Sequence, residues 1–351
     1  MVSRLDESRF VQFLEAVYAL EHTDEDWLTH SLRALSHICG SEHSYMGFFY
    51  DASNVEHFKA WNRCRFGTPP AELGGIWDMF TDMANADFVR STFRCRLLGS
   101  ARDVIEYTQP LLAERQRKGY GDFFCLNALD PSGLGCLLTF GCRDREFSPR
   151  GRDAALLKRA ATHLSAAYRC RRRLTSAGDE PIPRSARHER VVADAEAILD
   201  TDGRFVHAEG RAQSQVARER IRNAAVAIDS ARTAHRRQRG VQVLDQWHPL
   251  TSARWTLLDS FEEGGRRYIV ARENQAELSG FGTLTDRERQ ILVHAALGLT
   301  NKEIAYTLGV SDTTVRVLLS RAAKRLGVRG RKGLLAHSAL RELCAGAKSH
   351  G

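Results

Sequence analysis

The chain has 351 residues, of which 43% are hydrophobic, and its formal net charge is +8 at pH 7. A chain of this length exceeds one ordinary domain, so two or three domains are expected. No run approaches the roughly 18 apolar residues that a membrane-spanning helix needs, and Asp6, Glu7 and Arg9 interrupt any apolar core of a signal peptide. The sequence therefore predicts a soluble, cytoplasmic protein with no membrane partner.

Residues 1 to 175 alternate helix and strand patterns and are predicted to form the first domain. Thr23 precedes an amphipathic run that has Asp26 near its start, which predicts a capped helix. Strand-like runs on both sides of residues 130–133 predict a β-hairpin. The expected helices are Glu7–Leu20, Asp24–Cys39, 71–84 and 110–118, and the expected strands are Ser44–Tyr50, Val55–Ala60, 104–108, Phe123–Leu129 and Leu134–Cys142.

A long helix closes this first domain. Ser148 is expected to be its N-cap, with Pro149 in the first turn, and the helix is expected to end near Leu174. The hairpin followed by FSPRGRDAALLKRAATHLSAAYR resembles the last strands and exit helix of GAF-like sensor domains. The resemblance implies a domain that binds a small molecule, binds a protein or dimerises, and the sequence leaves these alternatives open.

Residues 176 to 188 are predicted to be a linker, and residues 189 to 275 a second domain. The segment AILDTDGRFVHAEG reads as a strand, a tight turn and a second strand. Helical stretches are expected to about Arg239, followed by strands at 241–247, 252–260 and 267–272. The opening segment and the closing strand pair resemble a PAS domain, which implies a second sensor-like unit.

The eight cysteines contain no C-x-x-C pair, so no zinc site is expected. In a reducing cytosol such thiols behave as small hydrophobic side chains. A thiol redox sensor remains the alternative, because two strands could bring Cys125, Cys136 and Cys142 together.

No cofactor is expected either. In the flavin-reacting motif of blue-light receptors asparagine directly precedes the cysteine, whereas Arg63 separates Asn62 from Cys64 here. His207 is the obvious candidate for a haem ligand, but a lone histidine at a strand end is more often a surface residue.

The positive charge is concentrated near the C-terminus. Residues 284 to 351 contain twelve Lys and Arg against five Asp and Glu, whereas the first 283 residues contain 39 basic and 38 acidic side chains. A polyanionic partner requires such a local excess of cations. The charge distribution therefore predicts nucleic-acid binding by the C-terminal part of the chain.

The same C-terminal region carries three signals for the start of a helix. Thr285 is followed three residues later by Glu288, and Thr300 by Glu303, and each pair is a capping box. Ser311 is a simple N-cap. Helices are expected at 286–297, 301–308, 312–326 and 333–344, with glycines just past the first three at Gly298, Gly309 and Gly327.

The second and third of these helices have the spacing of a helix-turn-helix. Ala305 would let two helices cross closely, and Gly309 would make the turn. At 100° per residue, one face of the third helix is apolar and the opposite face carries hydroxyls, cations and a valine, which suit a major groove. The apolar face contains Val315, Leu319, Ala322 and Leu326, and the other contains Thr313, Val317, Ser320 and Lys324, with Arg316 and Arg321 at its margins.

The run LTDRERQIL, followed by GLTNKEIAYTLGVSDTTVRVLLSRAAKRLGV, resembles the DNA-binding domain of LuxR-type bacterial transcription regulators. Thr314-Val315-Arg316 matches the threonine-valine-basic start of the family's recognition helix. Leu318 stands where the family often has histidine, but it lies toward the packing side, so its presence should not abolish binding.

This resemblance implies an all-α four-helix domain at residues 284–345, joined by a linker at 276–283, with its helix-turn-helix at about 301–320. The predicted fold class is therefore α+β multidomain, with GAF-like and PAS-like sensor regions before the helical DNA-binding domain at 284–345, which we call the reader. The residues expected to contact DNA are Asn301, Lys302, Ser311, Thr313, Thr314, Arg316, Val317, Ser320, Arg321, Lys324, Arg331 and Lys332.

The sequence thus predicts a DNA-binding transcription regulator and not an enzyme, because hydrolase, phosphate-loop and metalloprotease motifs are missing. Its expected partners are double-stranded promoter DNA, RNA polymerase and a second copy of the chain. The alternatives are a sigma-like polymerase subunit and a signalling enzyme with a DNA-binding tail. The strand-turn-strand patterns upstream disfavour the first, and the missing motifs disfavour the second.

Overall fold

A computed structural model describes fourteen parts of the chain, with side chains. They comprise residues 7–20, 22–67, 86–94, 97–100, 117, 120–129, 133–143, 147–175, 195–223, 225–226, 255–263, 266–273, 284–296 and 299–337. Contacts divide the chain into two compact units, which are residues 1–168 with 276–304 and 315–351, and residues 169–275 with 305–314. The predicted elements at 71–84, 104–108 and 241–247 lie outside the described residues, as do those at 110–118 apart from the helical Arg117.

The first unit contains a five-stranded antiparallel sheet in the order β2-β1-β5-β4-β3. The predicted hairpin is confirmed as β4 and β5, in which Leu126 pairs with Leu138. The five strands are β1 Ser44–Asp51, β2 Lys59–Phe66, β3 Leu98–Ser100, β4 Tyr120–Leu129 and β5 Leu134–Arg143.

The strand predicted at Val55–Ala60 is wrong at its start. Val55–His57 is a 3₁₀ turn, and the strand begins only at Lys59. Asn54 causes the difference, because its side-chain oxygen accepts the backbone N–H of Glu56 at 3.0 Å and closes a turn.

Helices α1 Glu7–Tyr18 and α2 Asp24–Cys39 precede the sheet. Short helical turns at Ala86–Val89 and Arg90–Arg94 fall between β2 and β3 along the chain. The expected bounds of α2 are confirmed. The Thr23 hydroxyl accepts the N–H of Asp26 at 3.2 Å, as the capping prediction requires.

The long helix α3, Gly151–Thr175, begins later than predicted, so Ser148 is not its N-cap. Gly151 has a φ of 55°, outside the helical region, and Asp153 N–H donates to Arg150 O at 3.2 Å. The chain therefore enters the helix through a left-handed glycine, and the register that Ser148 would have capped does not form.

Aromatic side chains cover both faces of this sheet. On one face, Phe49 stacks against Trp27 of α2 and Tyr168 of α3, with ring centroids 5.9 and 5.4 Å apart. On the other face, the Tyr50 ring lies 4.8 Å from Phe93, and its hydroxyl donates to Asn127 Oδ1 at 2.7 Å. A sheet packed on both faces forms the core of this unit.

The second unit contains a four-stranded antiparallel sheet in the order β7-β6-β9-β8. The predicted strand-turn-strand is confirmed, since Asp200 N–H donates to Arg204 O at 3.0 Å and closes the turn. A 3₁₀ turn at Gly210–Gln213 and a helical segment at 215–223 follow β7. The strands are β6 Ala197–Asp200, β7 Phe205–Ala208, β8 Trp255–Glu263 and β9 Arg266–Glu273.

Four further helices follow in the C-terminal part: α4 Asp286–Ala296, α5 Asn301–Leu308, α6 Asp312–Arg325 and α7 Gly330–Ala336. The first three agree with the prediction to within one residue. Among the helices within the described ranges, none is both long and apolar enough to cross a bilayer.

The fourth of these helices, predicted at 333–344, instead starts at Gly330 and ends at Ala336. Arg329 is extended and Gly330 has a φ of 63°, so the helix begins three residues earlier than expected. Gly333 then lies inside the helix, where a Cβ would come within 3.2 Å of Val328 Cβ. Residues 338–344 lie outside the described part.

Candidate nucleic-acid interface

Both predicted capping boxes are present. At the start of α4, Thr285 N–H donates to Glu288 Oε2 at 2.9 Å, and Glu288 N–H donates to the Thr285 hydroxyl at 3.3 Å. At the start of α5, the corresponding distances between Thr300 and Glu303 are 2.7 and 3.3 Å. Each box satisfies two N–H groups that the first turn leaves without helical partners, and so fixes where the helix begins.

The start of α6 is fixed by Ser311. Its hydroxyl accepts the N–H of Thr314 at 3.0 Å and lies 2.8 Å from the Thr314 hydroxyl. Just before it, Gly309 has a φ of 60°, and Val310 N–H donates to Ala305 O at 3.0 Å. The glycine turn and the serine cap together set the direction in which α6 leaves the turn.

Helix α6 has the two faces that its sequence predicts. Val315, Leu319 and Ala322 are buried, whereas Val317 remains 43% exposed on the opposite side. Leu318 is half-buried, as its intermediate position requires. The exposed positions of α6 include Thr313, Thr314, Arg316, Val317, Ser320, Arg321 and Lys324.

The remaining candidates fall into two groups. Lys302, Ser311 and Lys332 are exposed, and the Ser311 hydroxyl also caps α6. Asn301 and Arg331 are half-buried, and they contact each other across 30 positions of sequence.

The Arg331 guanidinium binds acceptors from three places in the chain. Its Nη1 donates to Asn301 Oδ1 at 2.9 Å, and its Nη2 donates to Ala295 O at 3.3 Å and to Leu299 O. Partial burial lowers the pKa of Arg331, and the nearby Glu303 carboxylate opposes that shift. The sequence led us to expect Arg331 to contact DNA, and in the structure its guanidinium donates to acceptors within the domain.

Glu288 joins the first and third helices of this region. Its side chain is only 2% exposed, and it accepts from Thr285 and from the Arg325 guanidinium. A buried carboxylate needs such partners, because an uncompensated charge there would be strongly destabilising. Sequence reasoning identified the cap but missed Arg325, whose only visible signal was a cation in the last turn of α6.

Glu303 has a second partner outside the C-terminal helices. Lys158 Nζ of α3 lies 2.9 Å from Glu303 Oε1. Partial burial alone would raise the pKa of Glu303, but the Lys158 ammonium and the hydrogen bonds from Thr300 outweigh it, and the pKa is lowered.

The candidate cofactor residues have ordinary structural surroundings. His207 is 48% exposed and its Nε2 lies 3.7 Å from Glu209. Within the described ranges, no group of three or more His, Cys, Asp and Glu side chains could hold a metal ion. Burial raises the pKa of Cys39 and of Cys64, which makes both thiols poorer nucleophiles than an exposed cysteine.

Residues 282–338 match the family model for bacterial regulatory proteins of the luxR family. The chain therefore carries a LuxR-family helix-turn-helix domain in its C-terminal part. A curated relative is the nitrate/nitrite response regulator protein NarP of Escherichia coli strain K12. The two are 40% identical over 72 residues, which are 20% of this chain and 34% of NarP. The chain thus spans about a third of the length of that relative.

Two solved structures of SdiA also match, one of them the Escherichia coli protein in a P6522 crystal. That structure is 13% identical, covers 96% of this chain and 98% of its own, and has a TM-score of 0.33. SdiA in complex with octanoyl-rac-glycerol is 12% identical, covers 99% of each chain and has a TM-score of 0.31.

Proposed function

We propose that this protein is a sequence-specific, double-stranded DNA-binding transcription regulator. The observation that carries the proposal is the outward face of α6, within a region that matches the LuxR family. This face presents hydroxyls, two arginines and Val317, while the opposite face is buried. Val317 is 43% exposed, so it can contact the methyl group that thymine presents in the major groove. The arginines beside it can bind base edges or the phosphates along the groove.

We assign two kinds of contact to this surface. Val317, Ser320, Arg316 and Arg321 would reach base edges, because they lie on or beside the centre of the outward face. Lys302, Lys324 and Lys332 would bind phosphates, which position the helix without reading sequence. Ser311, Thr313 and Thr314, at the start of α6, would contact the sugar-phosphate backbone of the DNA.

We further propose that the segments before the reader control it. The support is their two antiparallel sheets, together with the GAF-like and PAS-like resemblances of the sequence. The three candidate roles of these segments are binding a small molecule, binding a protein and dimerisation. The proposed partners at the promoter are the DNA itself and RNA polymerase, with the protein acting in the cytoplasm and without catalysis of its own.

Genomic footprinting of the tagged protein tests the proposal. Discrete protected sites with a shared motif are the expected result, and purified protein should shift those fragments and not shuffled ones. A pull-down with polymerase core enzyme accompanies it. Stable association with the core enzyme, together with failure to bind DNA alone, would favour the sigma-like alternative.

A further inference from the structure

Arg331 lies where three elements of the C-terminal region meet. It is the second residue of α7, and its guanidinium reaches the end of α4, the connection after it and the first residue of α5. Its side chain is half-buried, whereas the next residue, Lys332, is exposed. Two neighbouring cations of the same helix therefore have different surroundings.

The chemistry of the Arg331–Asn301 pair fixes the orientation of the amide. A guanidinium has only donors, whereas the amide of asparagine has one accepting end and one donating end. Arg331 can therefore bind only Oδ1, which it does at 2.9 Å. The Nδ2 group of Asn301 is consequently turned away from Arg331.

Asn301 lies at a helix start, where an oriented amide donor could bind an anion. Asn301 is the first residue of α5, and Lys302 beside it is exposed. The Thr300–Glu303 capping box uses the N–H groups of Thr300 and Glu303. Those of Asn301 and Lys302 remain at the positive end of the helix dipole, which attracts anions. An Nδ2 group held at this place would add a directed donor for a phosphate.

We infer that Arg331 is a positioning residue for DNA binding, which acts through Asn301 and does not itself touch DNA. Arg331 holds Oδ1, and Asn301 Nδ2 donates to a backbone phosphate beside Lys302. This assignment rests on the proposed function, and it replaces the direct DNA contact that the sequence suggested for Arg331. Three of its five N–H donors already bind acceptors of the domain, including both donors of Nη2.

A double-mutant cycle with Arg331→Lys and Asn301→Ala tests the assignment on full-length protein. Lysine keeps the charge but lacks the planar fork that binds several acceptors at once. We expect Arg331→Lys and Asn301→Ala each to weaken binding to operator DNA several-fold, and the double variant to bind no more weakly than either single variant. Additive losses would show that Arg331 acts independently of Asn301, and would overturn the assignment.

Salt dependence separates positioning from direct contact. A lost cation–phosphate contact flattens the plot of log affinity against log salt by about 0.9. Arg331→Ala should weaken binding with almost no change of slope, whereas Lys332→Ala, the matched control on the same helix, should change the slope by about 0.9. Equal changes of slope in the two variants would place Arg331 at a phosphate.

Asn301→Asp provides a test that does not depend on how well the Arg331 variants fold. Aspartate keeps an oxygen for Arg331, so the melting temperature should not fall, but it offers a phosphate no donor. Affinity for specific and random DNA should fall about tenfold or more. Wild-type affinity in Asn301→Asp would sink the assignment. Failure of the wild-type protein to bind any genomic site would instead refute the proposed function.

Discussion

At the scale of single residues, Val317 offers the sharpest test of base reading. It is 43% exposed, so its side chain contributes little to packing within the domain. Val317→Glu places a carboxylate on the outward face of α6, where it would be repelled by phosphates and could not contact a thymine methyl. We expect specific binding in a gel shift to be lost and the melting temperature to stay unchanged.

Val226→Glu is the matched control, since Val226 is a valine of similar exposure, 40%, outside the C-terminal helices. It introduces the same charge change and should leave DNA affinity as in the wild type. Operator affinity retained by Val317→Glu would contradict the assignment of Val317 to a base edge.

Lys302 tests a contact that carries no sequence information. Its exposed ammonium lies in the first turn of α5, where a helix start and a cation would act on the same phosphate. Lys302→Ala should weaken specific and random DNA about equally and reduce the salt slope by about 0.9. Titrations at several salt concentrations measure both. Lys59→Ala, at an exposed lysine of β2, should change neither quantity.

Helix starts are the elements whose stability should depend most clearly on pH. The folded-state pKa of Glu303 is lowered, so its charge stabilises the protein at pH values above the ordinary pKa of a glutamate. That contribution is lost as the pH falls through the lower folded value. Glu303→Gln keeps an oxygen that can accept from Thr300 but removes the charge. Its melting temperature should be below wild type at pH 7, and the difference should shrink as the pH falls through the lowered pKa of Glu303.

An exposed carboxylate provides the comparison for this pH experiment. Glu56→Gln lies in the 3₁₀ turn before β2. Its melting temperature should stay within about a degree of the wild-type value from pH 3 to pH 7. A constant difference between Glu303→Gln and wild type across the same range would show that the charge of Glu303 is not what stabilises the start of α5.

Elements with local punctuation could be predicted from sequence. The bounds of α2 and α5 were predicted correctly because Thr23 and Thr300 accept hydrogen bonds from residues three positions on. The β4–β5 hairpin was also predicted from a local signal, namely a short turn between two apolar runs. Ser148 misled because a left-handed glycine two positions beyond Pro149 resets the helix start, which a count of capping residues does not reveal.

The outward face of α6 also followed from sequence, because helical periodicity alone separates Val317 from Val315. The partners of the charged residues did not. Arg325 and Glu288 are 37 positions apart, and Arg331 and Asn301 are 30 apart. Such pairs depend on how helices cross, which neither spacing nor composition specifies, so the contacts of Arg331 within the domain could not be predicted from the sequence.

At the scale of the whole molecule, the exposure of α3 bears on how two copies could pair. The two candidate surfaces for pairing are this exit helix and the last described helix, α7. Between Leu156 and Arg172, none of the α3 side chains that the structure describes is exposed. Leu335 of α7 is 36% exposed beside the buried Leu334. We therefore expect pairing through α7 and not through α3.

We predict that the protein binds its operator as a dimer. One recognition helix reads only a few base pairs, each worth about 1–3 kcal/mol of discrimination, which is too little to select a promoter within a bacterial genome. Two DNA-binding domains on an inverted repeat, with half-sites about one helical turn apart, supply enough discrimination to select such a site.

The Leu335→Glu variant should bind a half-site normally but the full operator far more weakly, because the substitution removes pairing and leaves α6 intact. Light scattering on the wild-type complex, at concentrations near its Kd, should give two chains per operator. A 1:1 complex on a site without a repeat would overturn the dimer and return the sigma-like polymerase subunit as the better account of this chain.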